Sequence, residues 1–369
     1  MYDSSSLMKE LEEKGRKIMA VIKPFTCIRP AREKAAQIAA LPYDVYNREE
    51  AKKEVEREPL SFLRIDRPET QFPDDMDMYA EEVYQKAHDM LWQMVGNGDF
   101  VTDERECYYV YELTMNGRVQ DGLVACAAID DYQSGVIKKH ENTRAEKEQD
   151  RIRHVDTCSA QTGPIFLAYR AKRVVDDIIA RTKQQEALYD FTSPDGIRHR
   201  VFVIAKEEEV LAIREAFAGT EEIYIADGHH RAASAVKVGL KRRQECPDYT
   251  GAEEFNYFLS VLFADQQLMI MDYNRVVKDL NGCTPEAFLE KVKERFDVTP
   301  LGGEAAHPGQ KGEFTMFLLD QWYLCRIRKE DESGDPVKGL DVSLLQDLLL
   351  EPVLGIEDPK TDSRIDFVG

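Results

Sequence analysis

The residue types best suited to chemistry sit at 227–231, where Asp227-Gly228 is followed at once by His229, His230 and Arg231. A β-rich run ends at Ala226, the Asp-Gly pair makes a turn, and a good helix sequence begins directly after it. At such a junction the first helical N–H groups lack carbonyl partners, and the positive end of the helix dipole points the same way. Two imidazoles and a guanidinium added there suit an anion, phosphate above all. The plainer alternative is a strand–helix turn in which Asp227 caps the helix and the imidazoles face water.

A second group lies at 138–154. On a helix, Arg144, Lys147, Arg151 and His154 share one face, and Glu141 stands just upstream beside His140. This reads either as a solvated charged face or as a cationic wall against a polyanion, with Glu141 at its mouth. The chain carries 69 acidic against 49 basic residues, for a net charge of −20, so a stripe of cations is better explained by a bound anion. A third group comprises Arg29, Tyr43, Arg64 and Arg67-Pro68-Glu69. Arginines at strand exits suit bidentate contact with carboxylate or phosphate. Tyr43 could stack on a base or serve as a core aromatic.

Other chemistries find no support. The sequence has no P-loop, no convincing dinucleotide fingerprint, and no GxSxG, HExxH or EF-hand pattern. Adjacent His229 and His230 point about 100° apart on a helix, which disfavours one metal taking both. The seven cysteines are scattered without a CxxC pair, so reduced buried thiols are expected. The acidic balance disfavours nucleic acid and anionic membrane, and no apolar run is long enough to span a bilayer. A cytoplasmic protein is expected, since residues 1–20 carry no signal-peptide pattern.

These residues must be positioned by a mixed set of elements. Strands are expected at 19–22, 60–65, 108–115, 119–129, 164–169, 198–205, 222–226, 255–263 and 268–272, with a hairpin across Asn116-Gly117. Helices are expected at 7–18, 33–40, 48–57, 76–95, 143–159 (opened by a Thr143–Glu146 capping box), 176–188, 206–218 and 228–238. The last of these would stop at Gly239. Thr284-Pro285 opens a further helix to 296, a hairpin spans 314–327, and 341–350 is helical. Strands and helices in this order define an α+β protein with a mixed sheet. Residues 1–250 form one expected domain, and 251–369 a smaller C-terminal α+β region.

With these motifs in hand, the chain resembles the domain-of-unknown-function 1015 family of SpoOJ regulator-like proteins, near the ParB/sulfiredoxin superfamily and its free-serine kinases. The resemblance rests on Arg29-Pro30, Pro42-Tyr43-Asp44-Val45, Ser61-Phe62-Leu63-Arg64, Arg67-Pro68-Glu69, His140-Glu141 with Thr143, Lys147, Asp150-Arg151, Pro164-Ile165-Phe166 and Asp227–Arg231 in family order. It implies a ParB/sulfiredoxin-like core in which Gly228, His229, His230 and Arg231 cradle nucleotide phosphates. Asp227 would cap the helix or touch Mg²⁺. Two departures stand out: Asn274 replaces a frequent histidine, and the family usually continues beyond the end of this chain.

From that resemblance the expected activity is phosphoryl transfer from ATP or ADP, with Mg²⁺, to a small-molecule hydroxyl such as that of free L-serine. Arg144, Lys147, Arg151 and the 228–231 turn would hold the phosphates, and Glu141, with Glu69 second, would be the base. Asp227 and His230 complete the expected catalytic set, with Arg29, Tyr43, Arg64 and Glu69 around the acceptor. The competing expectation is a ParB-like regulator that binds CTP or ATP without transferring phosphate; a homo-oligomer is open to either. A sulfiredoxin-like activity is third, because the turn carries His229-His230 where that chemistry wants a cysteine.

Overall fold

The computed structural model describes residues 19–140, 145–335, 337–359 and 361–368, the side chains of 145–147 excepted. The expected helix at 7–18 and the capping box of Thr143 with Glu146 lie outside the described residues. The chain divides into two compact units, Met1–Leu268 and Met269–Gly369.

The first unit's strands are β1 (Ile22–Lys23), β2 (Ile28–Pro30), β3 (Phe100–Thr102), β4 (Tyr108–Met115), β5 (Arg118–Ala128), β6 (Ile137–Lys138), β7 (Ile165–Tyr169), β8 (Tyr189–Thr192), β9 (Arg198–Ile204), β10 (Ile223–Asp227) and β11 (Tyr257–Ala264). The large sheet runs β6-β10-β7-β11-β5-β4-β9-β8, with β1 also on β5, while β2 pairs β3 separately. β6 with β10 and β7 with β11 are parallel, and the remaining pairs are antiparallel, so the sheet is mixed and the fold α+β.

The two-residue period of β5 explains how the sheet buries both faces. Leu123, Ala125 and Ala127 join the main core beneath the helices Arg173–Thr182, Glu207–Ala218 and His229–Glu245, which contribute Ile178, Phe217 and Val236. The intervening Cys126 and Ala128 pack with Phe25, Tyr109 and Tyr257 on the other face. A third cluster joins the helix Glu81–Gly96, through Ala87, Leu91 and Met94, to Ile65 and to Cys158 of the helix Ala145–Cys158. Each large apolar side chain buried this way contributes roughly 1.5–3 kcal/mol.

Three expected elements differ. Residues 60–65 contain no strand but a helical turn, Leu63–Asp66, in which Asp66 N–H bonds the Phe62 carbonyl at 3.2 Å and Arg67 N–H the Leu63 carbonyl at 2.7 Å. A six-residue segment with four apolar residues does not separate strand from helix by period alone. Residues 268–272 likewise form no strand; the strand there is Asn274–Val277. The helix opening at His229 passes through Gly239 to Glu245. A Cβ at Gly239 would lie 2.3 Å from the Phe255 carbonyl oxygen, so that glycine permits close packing and does not end the helix. The strand β11, expected in the C-terminal region, belongs to the first unit's sheet.

In the second unit, β12 (Asn274–Val277) pairs with β16 (Ile365–Val368), and β13 (Phe296–Gly302), β15 (Gln321–Ile327) and β14 (Glu313–Leu318) form an antiparallel sheet in that order. Thr284 accepts from Ala287 N–H at 3.2 Å and Pro285 takes the first helical position, so the helix Pro285–Lys293 opens as its sequence dictates. Phe288, Val292, Phe296, Cys325 and Leu350 make this unit's own core. No helix among the described residues is long and apolar enough to cross a membrane.

Candidate functional site

The strand–helix junction at 227–231 has the expected local form. Gly228 adopts φ +88°, a left-handed conformation that favours glycine, and the helix begins at His229. Asp227 does not cap it: no side-chain cap bond forms, and its Oδ2 instead accepts from the Arg231 guanidinium at 2.7 Å. Arg231 also donates to the Pro164 carbonyl, which ties the turn to the start of β7. His229 is buried with its ring edge-on to His140, 4.4 Å between centroids. His230 Nδ1 is buried without a hydrogen-bond partner among the described residues.

His230 opens onto a cavity of about 260 Å³ within the first unit. Its wall combines Tyr43, Asp44 and Tyr46 from one loop, Asp66, Arg67 and Glu69 from the next, Tyr84 from the helix Glu81–Gly96, and Asp150, Arg151 and His154 from the helix Ala145–Cys158. Arg67 organises one side. It donates to Glu69 Oε1 at 2.6 Å and to the carbonyls of Tyr43 and Tyr46 at 3.0 and 2.8 Å. Glu69 is only 3% exposed, and a carboxylate so buried requires that guanidinium beside it.

Arg151 organises the other side. Its Nε donates to Asp150 Oδ2 at 2.9 Å, and its guanidinium lies 4.3 Å from the Tyr43 ring centroid. Tyr84 donates its hydroxyl to Asp150 Oδ1 at 2.8 Å. Burial alone would lower the Arg151 pKa, but Asp150, Tyr43 and Asp66 outweigh it and hold the group charged. Burial pushes the Tyr43 hydroxyl up, and burial followed by the Arg151 charge pushes His154 down.

The cavity therefore brings together Tyr43, Arg67, Glu69, Arg151, His154 and His230 of the expected residues. Asp227, Gly228, His229 and Arg231 lie at the adjoining turn. Glu141 and Arg144 are outside the described residues, as is the Lys147 side chain. The face of Arg151 and His154 points inward, not to solvent: they are 8% and 1% exposed.

Two arginines lie elsewhere. Arg64 donates to the Pro59 carbonyl and to Gln71, whose amide returns a bond to the Arg64 carbonyl, so it closes its own loop. Arg29 pairs with Asp103 at 2.8 Å and donates to Tyr189, beside a second, apolar cavity of about 220 Å³. In that second cavity, burial pushes the Cys27 thiol up to about 12, which leaves no thiolate at neutral pH. Asp66 and Tyr84 were not singled out from sequence, and Asp150 entered only as part of the Asp150-Arg151 motif, with no role of its own. Asp66 and Asp150 each adjoin an arginine of interest, which was a usable signal, whereas Tyr84 reads as an ordinary helix residue.

The family comparison agrees with the motifs. The family model described as protein of unknown function (DUF1015) matches residues 22–343, and the chain belongs to that family. Searches of curated proteins and of solved structures give no match.

Proposed function

We propose that the protein is a nucleotide-dependent small-molecule kinase, transferring a phosphoryl group from ATP or ADP to a metabolite hydroxyl, with free L-serine as candidate acceptor. The observation that carries this reading is that His230, in the first turn after left-handed Gly228, lines the same cavity as Glu69, Arg151 and Tyr43. A helix N-terminus suited to phosphate thus adjoins a small polar chamber suited to an acceptor.

Phosphoryl transfer is catalysed mainly by positioning and by cations on the transferring group. The N–H groups of the 229–231 turn, with Arg231, would bind the phosphates. Glu69 would take the proton of the acceptor hydroxyl, whose oxygen bonds to the terminal phosphorus as the bond to the leaving nucleotide oxygen breaks. The electron pair of that bond leaves with ADP, or with AMP when ADP is the donor. Arg67 would hold the Glu69 carboxylate in place through Oε1, leaving Oε2 for the hydroxyl.

Mg²⁺ fits this site only as a companion of phosphate. Among the described residues there is no group of three His, Cys, Asp or Glu able to cage a metal. Asp227 is an exposed carboxylate with Oδ2 on Arg231, so Oδ1 would supply the single protein oxygen that Mg²⁺ commonly takes alongside phosphates. When bound, the ion would screen the phosphate charge.

The reading is tested by incubating the protein with MgATP or MgADP and a panel of amino acids and alcohols. A phosphomonoester product is expected, abolished by Arg231→Ala. Saturable nucleotide binding with no product from any acceptor would overturn the kinase and favour a nucleotide-responsive regulator.

A further inference from the structure

We infer that the cavity recognises its small ligand through a primary ammonium group, so that, on the kinase reading above, the acceptor is an amino alcohol and not a hydroxy acid or a sugar. The lining holds four carboxylates, Asp44, Asp66, Glu69 and Asp150, against the two guanidiniums of Arg67 and Arg151. Both arginines are engaged within the wall: Arg67 by Glu69 and two carbonyls, Arg151 by Asp150. Asp44 and Asp66 form no direct ion pair among the described residues; Asp66 lies close enough to Arg151 to help hold it charged, and its side chain accepts from the Thr162 hydroxyl at 2.7 Å.

The imidazoles point to the same kind of ligand independently. His154, 1% exposed, meets the Ile65 carbonyl through Nε2 at 2.9 Å. A carbonyl only accepts, so Nε2 carries the proton and Nδ1 is a bare acceptor, with no partner among the described residues. His230 Nδ1 is buried and unpaired among the described residues. Polar atoms left this way are costly unless a ligand or water satisfies them. The cavity thus has an excess of negative charge together with unpaired imidazole nitrogens, one of them fixed as an acceptor. A primary ammonium answers both, bringing a positive charge and three N–H donors.

Size sets the remaining limit. About 260 Å³ lies just under the roughly 300–1,000 Å³ of sites for drug-sized ligands, a size that suits a small metabolite such as L-serine. The net charge of −20 favours approach of a cationic or zwitterionic metabolite over an anionic one.

The test is isothermal titration of the full chain, without nucleotide, with L-serine, ethanolamine and glycerate. Glycerate replaces the serine ammonium by a hydroxyl, and ethanolamine removes the carboxylate. L-serine and ethanolamine are expected to bind, and glycerate to bind at least about tenfold more weakly, the scale of one lost charge-assisted hydrogen bond. Asp66→Asn, which keeps an acceptor for Thr162, is expected to weaken both amines by about tenfold or more. Asp44→Asn, on an exposed turn, is the second variant should the first fail to fold, with a loss of several-fold expected.

Glycerate binding as tightly as L-serine, no binding by either amine, or unchanged amine binding in both variants would each overturn the inference. Amine binding without phosphoryl transfer would support it and sink the kinase reading alone. Transfer to glycerate in preference to L-serine would keep the kinase and sink the ammonium inference.

Discussion

Gly228 shows how one residue sets the site. Its φ of +88° turns the chain from β10 into the helix, and a Cβ there would lie 3.2 Å from three atoms of the Arg231 guanidinium. Gly228→Ala is expected to lose about 1–2 kcal/mol of stability from the left-handed backbone alone, read by urea denaturation, and to weaken nucleotide binding as Arg231 is displaced. A variant as stable as the parent would contradict this role. Asp131 gives a prediction in pH. It is 1% exposed, and burial, opposed by the Val21 N–H at 2.7 Å, raises its pKa to about 7. Because the folded value lies above the unfolded one of about 3.9, this group's stabilisation is complete below about pH 4 and is lost as pH rises through about 7. Asp131→Asn, neutral throughout, should therefore be more stable than the parent at pH 8, by roughly 2–4 kcal/mol, with the gap closing toward pH 4. A gap independent of pH would refute the assignment. The turn at 227–231 was legible because glycine, strand end and helix start are local signals. Asp150 and Tyr84 were not legible as partners, because only the packing of their two helices brings them together.

Elements were readable where their signals were local. Asn116 and Gly117, both at positive φ, make the expected hairpin between β4 and β5. Thr284-Pro285 opens its helix as expected. Residues 60–65 misled because a short, mostly apolar segment bordering Pro59 fits strand and helix alike, and the local hydrogen bonds from Asp66 to Phe62 and from Arg67 to Leu63 make it a helical turn. Gly239 misled for a different reason: as a helix stop it would be ordinary, but its role depends on Phe255, sixteen positions away in sequence. The two effects of Gly239→Ala can be weighed. Helix propensity favours alanine by about 1 kcal/mol. A Cβ at 2.3 Å from a backbone oxygen forces the helix away, and overpacking of that kind costs about 1–3 kcal/mol or more. The clash should win, so Gly239→Ala is expected to lower the urea midpoint; a raised midpoint would show that the helix moves freely.

At the scale of the whole molecule, the α+β class was legible from the order of elements, whereas the end of the first unit at Leu268 was not, because β11 pairs with β5 and β7 from far earlier in the chain. Each unit has its own apolar core, and every residue lining the candidate cavity lies in the first. Phe296→Ala, at a site 1% exposed in the second core, is expected to cost about 3–5 kcal/mol in that unit's unfolding, seen by calorimetry, while L-serine binding stays unchanged. The central claim is phosphoryl transfer at the junction of the 227–231 turn and the Glu69 cavity. Phosphorus NMR of the protein with L-serine and MgATP or MgADP tests it most directly. O-phosphoserine should accumulate with the parent and not with Glu69→Gln. No phosphomonoester above the protein-free control, or equal turnover by Glu69→Gln, would contradict it.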